Sequence, residues 1–417
     1  MKPRLLLLVP TSTYRAEAFV RSAQRLPIDL SIASEVPSSL SHLHPVDLPA
    51  FDFGDPVDAV AKARVFAAST RVDGVVAVDD QSVLPAAGIA RALGLRHHAP
   101  EGVRAALNKF LGRERMRAAG IDVPTYRLLA IGADPARTGA EIAEGVGYPA
   151  VLKPLAMAAS RGVVRVDRAA DFPRAFARLV ALVRSSPSRH DALANDHIIA
   201  ESYVPGFEVA VEGLVDRGRL HIFAIFDKVD PLDGPYFPET MYVTPSRLDT
   251  ATQARIVDVT GRTVRAYGLD DGPVHVELRI DGDRVVPIEA HARSIGGLCS
   301  RVLRFEGERS LEELIILHAL GLLGRVPPRE PRAAGVWMMQ SPRAGTFVQM
   351  RGVAAAREVP DVDEVIVSAR AAQTLAPLPD GFLYLGFIFA RAVTAGRVEA
   401  SLRQAFSRLE PVFEDAA

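Results

Sequence analysis

Cysteine, lysine and long apolar runs are scarce in this 417-residue chain. Its one cysteine, Cys299, excludes an internal disulfide framework, fits a reducing cytoplasm and is expected to be a buried structural thiol. The net charge is −1, so composition gives no general electrostatic basis for binding nucleic acid or a membrane surface. The apolar run Leu5–Val9 is too short for a signal peptide, and no run approaches the length that crosses a bilayer. We therefore expect a globular cytoplasmic protein of about two to four domains.

Lysine is rare although basic residues are common. Of the 49 basic residues, five are lysines: Lys2, Lys62, Lys109, Lys153 and Lys228. Arginine presents a flat fork of donors, whereas lysine is a compact point charge that fits among phosphate oxygens. Lys109, Lys153 and Lys228 lie inside patterned segments and are therefore candidate phosphate ligands. Lys2 and Lys62 are expected to face solvent.

The most informative stretch is residues 275–297, HVELRIDGDRVVPIEAHARSIGG. Its first part alternates polar and apolar residues with a period of two, and the turn signal Asp281-Gly282-Asp283 predicts a β-hairpin. The polar face would hold His275, Glu277, Arg279, Glu289, His291 and Arg293, with Val286 and Ile288 on the apolar side. A three-residue loop makes Glu277 and Glu289 diagonal neighbours about 7–8 Å apart, close enough to hold one cation. A two-residue loop would place them on opposite faces.

An exposed sheet face with mixed charges is the alternative interpretation of this hairpin. Two facing acids are unfavourable without a cation, which favours a metal site. The pair Gly296-Gly297 that follows indicates close approach of the backbone to a ligand.

Residues 1–100 predict a small open α/β domain with a parallel sheet. Strands are expected at Leu5–Val9 and Gly74–Val78, and helices at Arg15–Leu26 and Gln81–Leu93. The segment lacks a GxGxxG fingerprint, so dinucleotide binding is not supported. Asp79-Asp80 follows a strand at the edge where such sheets bind ligands, although acids also cap helices there.

The next two segments carry the other candidate lysines. One helix is predicted from Pro100 to Ala119, with Asn108 and Lys109 in mid-course. An apolar strand then ends in Lys153, and the small-residue loop LAMAASRGVV follows it. Such a loop can lay backbone N–H groups and a hydroxyl over phosphates, and a plain mobile loop is the alternative.

The remaining segments predict further strands and helices. Strands are expected at 126–130, 197–204, 207–215 and 220–226, and helices at 135–145, 248–267 and 311–322. After a proline-rich boundary at 326–331, strands are expected at 336–339, 346–350, 362–368 and 382–390, with a final helix at 398–409. This last part is expected to be an α+β accessory domain without evident chemistry.

Taken in this order, the motifs resemble the ATP-grasp superfamily from the N-terminus to about residue 310. They are the Asn108-Lys109 lysine, the lysine of PAVLKP, the loop after it, the segment ESYVPGFE from Glu201 to Glu208, and the hairpin with its acids and Arg293. Within that superfamily the chain is similar to carboxylate–amine ligases of the L-amino acid ligase type. Residues 335–412, with GTFVQMRG and EVPDVDEVIV, resemble their C-terminal domain.

The resemblance implies a multidomain α/β and α+β protein with the ATP-grasp fold. The expected parts are an N-terminal α/β domain (1–100), a small lobe with a linking helix (101–204), a large lobe with the metal site (205–325) and a C-terminal α+β domain (326–417).

The resemblance also implies roles for particular residues. Lys109 and Lys153 would neutralise the α- and β-phosphates of ATP, and Lys228 would lie near the phosphates or adenine. Glu201 with the Tyr203-Val204 backbone would meet the adenine edge, and Glu208 the ribose hydroxyls. A lid would be formed by Ser160, Arg161 and Gly162. Two Mg²⁺ ions would be held by Glu277 and Glu289. The transferred phosphate and an oxyanion would be met by Arg293 and by the amides of Gly296 and Gly297.

His291 departs from the pattern, since many ATP-grasp enzymes have a metal-binding asparagine there. Imidazole is a poor Mg²⁺ ligand, so His291 could point elsewhere, favour Mn²⁺, act on substrate or be purely structural. Glu239 would face the amino group of the carboxyl-donating amino acid, with Tyr242 lining the pocket. A solvated loop acid is the alternative for Glu239.

The implied activity is ATP-dependent amide or peptide bond formation between amino acids through an acyl phosphate. The alternatives are a carboxylase that activates bicarbonate and a nucleotide-binding protein that has lost catalysis. The expected partners are small-molecule carboxylates and amines, without nucleic acid or membrane, and a homodimer is left open.

Overall fold

The computed structural model describes residues 2–37, 48–381 and 383–414. Within them the chain forms α/β sheets covered by helices, and no helix is long and apolar enough to cross a membrane. Phe382, the predicted first residue of the strand at 382–390, lies outside the described residues.

The N-terminal part is a three-stranded parallel sheet in the order β2-β1-β3. Its elements are β1 (Arg4–Leu8), α1 (Ala16–Gln24), β2 (Asp29–Ala33), α2 (Pro56–Ser69), β3 (Gly74–Ala77) and α3 (Asp80–Leu93). The side chains from Leu5 to Leu8 are all buried, because both faces of this central strand are covered. The predicted open parallel α/β arrangement is confirmed, and β2 is a strand that the sequence patterns did not predict.

The prediction of one helix from Pro100 to Ala119 is wrong. The chain forms α4 (Pro100–Leu107) and α5 (Lys109–Ala118), with Asn108 between them in an extended conformation, φ −128° and ψ 112°. The Asn108 side chain accepts a hydrogen bond from the Leu111 N–H at 3.1 Å and so caps α5. Lys109 is therefore the first residue of a helix rather than a mid-helix residue.

A four-stranded antiparallel sheet follows, in the order β4-β7-β5-β6. Its elements are β4 (Tyr126–Ala130), α6 (Pro135–Gly145), β5 (Ala150–Pro154), β6 (Val164–Val166), α7 (Phe172–Ser185), α8 (Ala192–Asp196) and β7 (His197–Ser202). We call it the small sheet.

An eight-stranded sheet, the large sheet, has the order β12-β11-β8-β9-β10-β15-β19-β17. The elements from residue 207 onward are β8 (Phe207–Asp216), β9 (Arg219–Lys228), β10 (Met241–Thr244), α9 (Thr250–Tyr267), β11 (Gly272–Asp281), β12 (Arg284–His291), β13 (Arg304–Phe305), β14 (Arg309–Ser310), α10 (Leu311–Ala319), β15 (Ala333–Gln340), β16 (Gly345–Arg351), α11 (Val353–Arg357), β17 (Val362–Val367), β18 (Gln373–Leu375), β19 (Tyr384–Ala392), α12 (Ala395–Phe406) and β20 (Glu410–Glu414). Strands after residue 326 thus extend the sheet that begins at residue 207.

The two faces of the large sheet are covered by different parts of the chain. On one face, Phe19 of α1 packs in a single core with Phe226 and Tyr242. On the other, Ile256 of α9 packs with Val276. Strand β1 and helix α1 of the N-terminal part therefore lie over one face of the large sheet. Helix α9 lies over the other, and Val83 of α3 joins its core.

The hairpin β11–β12 has a two-residue loop, because Asp281 pairs with Arg284. Of the two loop lengths considered, the three-residue loop does not form. The predicted apolar position of Val286 is wrong, because Val286 pairs with Arg279 on the polar side. A β-bulge at Ile288 adds one residue to β12 and reverses the alternation beyond it. As a result Glu289 lies directly opposite Glu277, rather than diagonal to it.

Candidate active site

The hairpin turns its polar side chains toward the N-terminal part. Glu277 pairs with Ala210 of β8, whose side chain belongs to the core shared with the N-terminal sheet. Paired residues project to the same face, so Glu277, Glu289 and the histidines next to them lie on that face. The structure thus brings together the two acids predicted to bind metal.

Glu289 is paired with Lys109, the first residue of α5. The Lys109 Nζ lies 3.3 Å from Glu289 Oε1 and donates to the Met157 carbonyl at 2.6 Å. Burial would raise the pKa of Glu289, but Lys109, His291 and Lys153 outweigh it and hold that pKa below its usual range. Glu289 therefore stays ionised at neutral pH.

Glu277 is paired with Lys228, which also reaches two other acids. The Lys228 Nζ lies 3.1 Å from Glu277, 2.5 Å from Glu208 and 3.5 Å from Glu239. Burial would lower the pKa of Lys228, but these three carboxylates outweigh it and raise that pKa. The same lysine therefore links the predicted metal, ribose and substrate residues.

Two stacked histidines lie beside the two acids predicted to bind metal. The rings of His275 and His291 are 5.8 Å apart, and their Nε2 atoms lie 3.4 Å from Glu277 and 3.3 Å from Glu289, respectively. His275 also faces the fully buried Glu212, with Nδ1 3.3 Å from its carboxylate. Burial would lower the pKa of His275, but Glu212 and Glu277 raise it. Both histidines thus contact the acids.

Lys153 and Glu201 form a buried ion pair between neighbouring strands of the small sheet. The Lys153 Nζ lies 2.7 Å from Glu201 Oε2, and the Arg113 Nε lies 2.7 Å from Oε1. Arg113 also donates to the Ile288 carbonyl at the bulge, at 2.6 Å. Both oxygens of the Glu201 carboxylate thus lie beside basic groups, which hold this side chain in place. The patterns did not predict Arg113, because it looks like any surface arginine of a helix.

Glu208 is also bound at both oxygens. Its second oxygen accepts from Arg279 Nε at 2.8 Å, and Arg279 donates through Nη1 to the Val204 carbonyl at 2.6 Å. The Tyr203 ring lies under the Arg279 guanidinium, 5.2 Å from its centroid. Arg279 therefore joins the hairpin to the segment predicted to meet the nucleotide.

The predicted lid has a tightly turned backbone. Ser160 and Gly162 have φ values of 54° and 75°, in the left-handed region. The Arg161 guanidinium donates to Ser186 Oγ at 2.9 Å, so in this conformation it binds the end of α7. The turn lies directly after Lys153, as the sequence pattern placed it.

Glu239 lies beside Tyr242 and is held by residues from the C-terminal strands. Its carboxylate accepts from the Tyr384 hydroxyl at 3.3 Å, and its carbonyl accepts from Gln340 Nε2 at 2.9 Å. The buried Tyr242 ring lies 5.3 Å from Lys228 Nζ. Glu239 is thus hydrogen-bonded through both its side chain and its backbone, which differs from the solvated loop acid considered as the alternative. The sequence patterns assigned no role to Tyr384 or Gln340.

The loop after β12 is bound by the N-terminal part. Arg293 forms an ion pair with Asp80 at 2.7 Å. The Gly297 N–H donates to the Tyr14 hydroxyl at 3.0 Å, and a Cβ at this position, φ 59°, would lie 2.3 Å from the Met338 sulfur. A Cβ added at Gly296 would have the Tyr14 hydroxyl as its nearest neighbour, at 3.9 Å. The sequence patterns pointed to Asp80 only as part of an acidic pair after a strand, and they did not predict its contact with Arg293.

Cys299 follows this loop and is buried, as predicted. Burial raises the pKa of its thiol well above the usual value, and Glu239 and Glu212 add to the effect. A thiol with a raised pKa is a poor nucleophile.

The donor set at Glu277 and Glu289 fits Mg²⁺. Two carboxylates in directly opposed positions repel each other unless cations lie near them, and Lys109 and Lys228 supply positive charge from either side. Carboxylate oxygens are the ligands that Mg²⁺ prefers, together with substrate phosphates.

A second group of acids and a histidine does not fit a metal as well. Asp216, Asp271 and His318 have ligand atoms close enough for one ion. However, Arg96 already hydrogen-bonds both carboxylates, with 2.6 Å to Asp271 Oδ1. A guanidinium therefore supplies the positive charge there, and the group joins the N-terminal part to the large sheet.

Comparisons with known proteins identify two domains in the chain. Residues 146–302 match the family described as ATP-grasp domain, and residues 337–414 match the L-amino acid ligase C-terminal domain 2. Protein y4rH of Sinorhizobium fredii is 24% identical over 98% of this chain and 82% of its own length. Alanine–anticapsin ligase of Bacillus subtilis is 25% identical over 54% of this chain and 49% of its own. The chain thus spans about half the length of that ligase.

The crystal structure of L-amino acid ligase from Bacillus licheniformis shares the fold over the whole chain. The TM-score is 0.83 at 24% identity, with 99% of each chain covered. The fold predicted from the sequence motifs is confirmed by this match and by the two family matches. The chain therefore carries an ATP-grasp domain followed by an L-amino acid ligase C-terminal domain, in the fold of L-amino acid ligase.

Proposed function

We propose that this protein uses ATP and Mg²⁺ to join the carboxyl group of an amino acid to an amine. The observation that carries the proposal is the arrangement of rare lysines around the hairpin. Lys109 and Lys228 contact the opposed acids Glu289 and Glu277, and Lys153 lies beside them. Such a concentration of compact cations and metal-binding acids suits a nucleoside triphosphate.

The nucleotide would lie between the small and large sheets. Lys109 and Lys153 would neutralise its α- and β-phosphates, the backbone at Tyr203-Val204 would meet adenine, and Glu208 would accept from ribose hydroxyls. Support comes from Arg279, which holds Glu208 and the Val204 carbonyl together. The turn at Ser160 and Gly162 would close over the phosphates and exclude water, as bound phosphoryl groups require.

The metal would be held by Glu277 and Glu289, as one or two Mg²⁺ ions, with Mn²⁺ as the alternative. When bound, it would neutralise charge on the β- and γ-phosphates. His275 and His291 would then act on the two acids rather than as metal ligands, since each imidazole contacts one of them.

The reaction would proceed in two steps. A carboxylate oxygen of the first substrate attacks the γ-phosphorus, the bond to the β–γ bridging oxygen breaks, and ADP leaves with that electron pair. The amine nitrogen of the second substrate then attacks the acyl carbon, inorganic phosphate leaves, and the amine proton passes to phosphate or solvent. Positioning and charge neutralisation are the main demands on the protein.

Arg293 would bind the transferred phosphoryl group and the developing oxyanion. Burial would lower the pKa of Arg293, but Asp80 raises it, so the guanidinium stays charged. The Gly297 N–H donates to Tyr14, so Arg293 is the donor that we assign to the oxyanion. Gly296 would leave room for the substrate beside it.

Glu239 would accept the ammonium group of the carboxyl-donating amino acid, beside Tyr242. Its ties to Lys228, Tyr384 and Gln340 support a fixed position for this carboxylate. We propose that the second substrate is also an amino acid or a related amine.

Phosphate release from ATP over a matrix of amino acids and amines tests the proposal, with products read by mass. We expect phosphate release that depends on a pair of substrates and an amide product of matching mass. Turnover that depends on bicarbonate would indicate a carboxylase instead. Absence of phosphate release with every pair would overturn the proposal and favour a nucleotide-binding protein without catalysis.

A further inference from the structure

The acidic pair Asp79-Asp80 follows strand β3 of the N-terminal sheet, and Asp80 reaches the loop after the hairpin. Its Oδ2 lies 2.7 Å from Arg293 Nη2, and its Oδ1 lies 3.9 Å from His291 Nδ1. Asp80 is also the first residue of α3, so the positive end of that helix favours its charged form. Burial would raise the pKa of Asp80, but Arg293 and His291 lower it to about 2.

The loop that carries Arg293 has two more anchors in the same domain. The fully buried Arg15 donates to Ser294 Oγ at 2.5 Å and to the Val78 carbonyl at 2.8 Å. Tyr14 accepts from the Gly297 N–H at 3.0 Å. Three side chains of the N-terminal part therefore fix the loop, and of these Asp80 binds the Arg293 guanidinium itself.

An arginine has many rotamers, and fixing it before the reaction removes an entropic cost from the step that uses it. Asp80 contacts one edge of the guanidinium through Nη2, while Nη1 donates to the Ser294 carbonyl at 3.0 Å. The side chain is thus held at both terminal nitrogens.

We propose that Asp80 is a positioning residue for Arg293, through which the N-terminal domain sets the geometry of phosphoryl transfer. This inference rests on the proposed function, in which Arg293 acts on the transferred group. It assigns to the N-terminal domain a part in the chemical step, in addition to its packing on the large sheet.

The test is the variant Asp80→Asn, which keeps the shape of the side chain and removes its charge. We expect kcat to fall about tenfold to a hundredfold, the range for loss of a hydrogen bond to a charged group. KM for ATP and the affinity for ADP, measured by calorimetry, should stay within about twofold of the wild type. Asp80→Glu should restore part of kcat, because the carboxylate can still reach the guanidinium.

Asp73→Asn is the matched control. Asp73 precedes the opposite end of β3, where its carboxylate accepts from the Arg4 N–H at 2.8 Å and pairs with Arg71 at 2.6 Å. It therefore tests the loss of a carboxylate ion pair on the same strand, far from Arg293, and should leave kcat unchanged.

Each outcome separates the inference from the proposed function. A normal kcat in Asp80→Asn overturns the positioning role and means that Asp80 has no part in the reaction. A rise in KM for an amino acid alone also overturns it and makes Asp80 a substrate ligand. A similar loss in Asp73→Asn, or no recovery in Asp80→Glu, also overturns it, because domain stability would then explain the effect. A wild-type protein that releases no phosphate with any pair overturns the proposed function itself, and the inference with it.

Discussion

At the scale of single residues, the candidate site carries more negative than positive charge around Lys228. Glu208, Glu239 and Glu277 all contact this one lysine. Arg279, which pairs with Glu208, is the second positive group against these three carboxylates. Burying carboxylates is costly unless each is paired. One negative charge is therefore left over among these groups, which makes the region attractive to a metal ion or a substrate ammonium.

Replacement of Glu289 by alanine should abolish turnover. The variant removes one of the two opposed carboxylates and leaves Lys109 without its partner, so both metal and phosphate positions change. We expect kcat/KM to fall by roughly a hundredfold or more and Mn²⁺ affinity, measured by electron paramagnetic resonance, to fall with it. Asp283→Ala, at the exposed hairpin tip (97% exposed side chain), is the control and should behave as the wild type. Near-normal turnover in Glu289→Ala would contradict the metal assignment.

Removal of the Tyr384 hydroxyl should affect the amino acid substrate and spare the nucleotide. Burial and the neighbouring Glu239 raise the pKa of Tyr384, so the phenol stays protonated and donates to that carboxylate. In Tyr384→Phe we expect kcat/KM for the carboxyl-donating amino acid to fall about tenfold, with ADP affinity unchanged. The same measurement with the substrate's desamino analogue is the control. An equal loss for both compounds would show that the hydroxyl does not act through Glu239.

At the scale of elements, the hairpin shows how a bulge sets the position of a functional residue. With its two-residue loop and regular pairing, β12 would turn Glu289 away from Glu277. The extra residue Ile288 reverses the alternation, and its carbonyl accepts from Arg113. Arg113 thereby links the bulge to Glu201 of the small sheet, so the irregular residue is held in place from outside the hairpin.

The Asn108 cap should matter for nucleotide binding, because it starts the helix whose first residue is Lys109. In Asn108→Ala the cap bond to Leu111 and the bond to Asp191 at 2.7 Å are lost. We expect the unfolding free energy to fall by about 1 kcal/mol or more and KM for ATP to rise several-fold. The measurements are denaturant unfolding and steady-state kinetics.

Asp134→Ala is the control for this prediction, since Asp134 caps α6 through the Arg137 N–H at 2.8 Å. It should lower stability by a similar amount and leave KM for ATP unchanged. A rise in KM in both variants would mean that a general loss of stability, rather than the position of Lys109, controls ATP binding.

At the scale of the whole molecule, the large sheet runs through the predicted boundary between residues 325 and 326. Strands β15, β19 and β17 continue the sheet beyond β10, and Gln340 and Tyr384 reach Glu239 from there. At the other side, Arg96 joins the N-terminal part to Asp216 and Asp271 of the sheet. The N-terminal part, the large sheet and its C-terminal strands therefore share one core as well as these polar contacts.

Removal of residues 326–417 should destabilise the rest of the protein. The truncation would expose the unpaired edge of β10 and the buried side chains of Met241 and Val243. Open apolar edges promote aggregation, so we expect little soluble monomer by size-exclusion chromatography. A truncated protein that is monomeric and melts cooperatively at the temperature of the full chain would contradict this view.

Local patterns were sufficient for most elements and for the family. Strand β4 and helix α6 have the predicted bounds, and the lysines, the acids and the loop between them were recognisable from spacing alone. These signals are local, since periodicity and turn residues depend on neighbours in the chain. The break at Asn108 was missed, because an asparagine in a helical pattern differs from a cap only when a tertiary contact such as that with Asp191 is known.

The sequence by itself determined the fold class and singled out the two acids proposed to bind metal and the three lysines near them, because these depend on residue type and order. Only the tertiary structure decided how the acids meet, through the bulge at Ile288 rather than a longer loop. It also decided which distant residues hold the site: Arg113, Tyr384 and Asp80 come from three separate regions. Such contacts join residues far apart in the chain, and no local pattern encodes them.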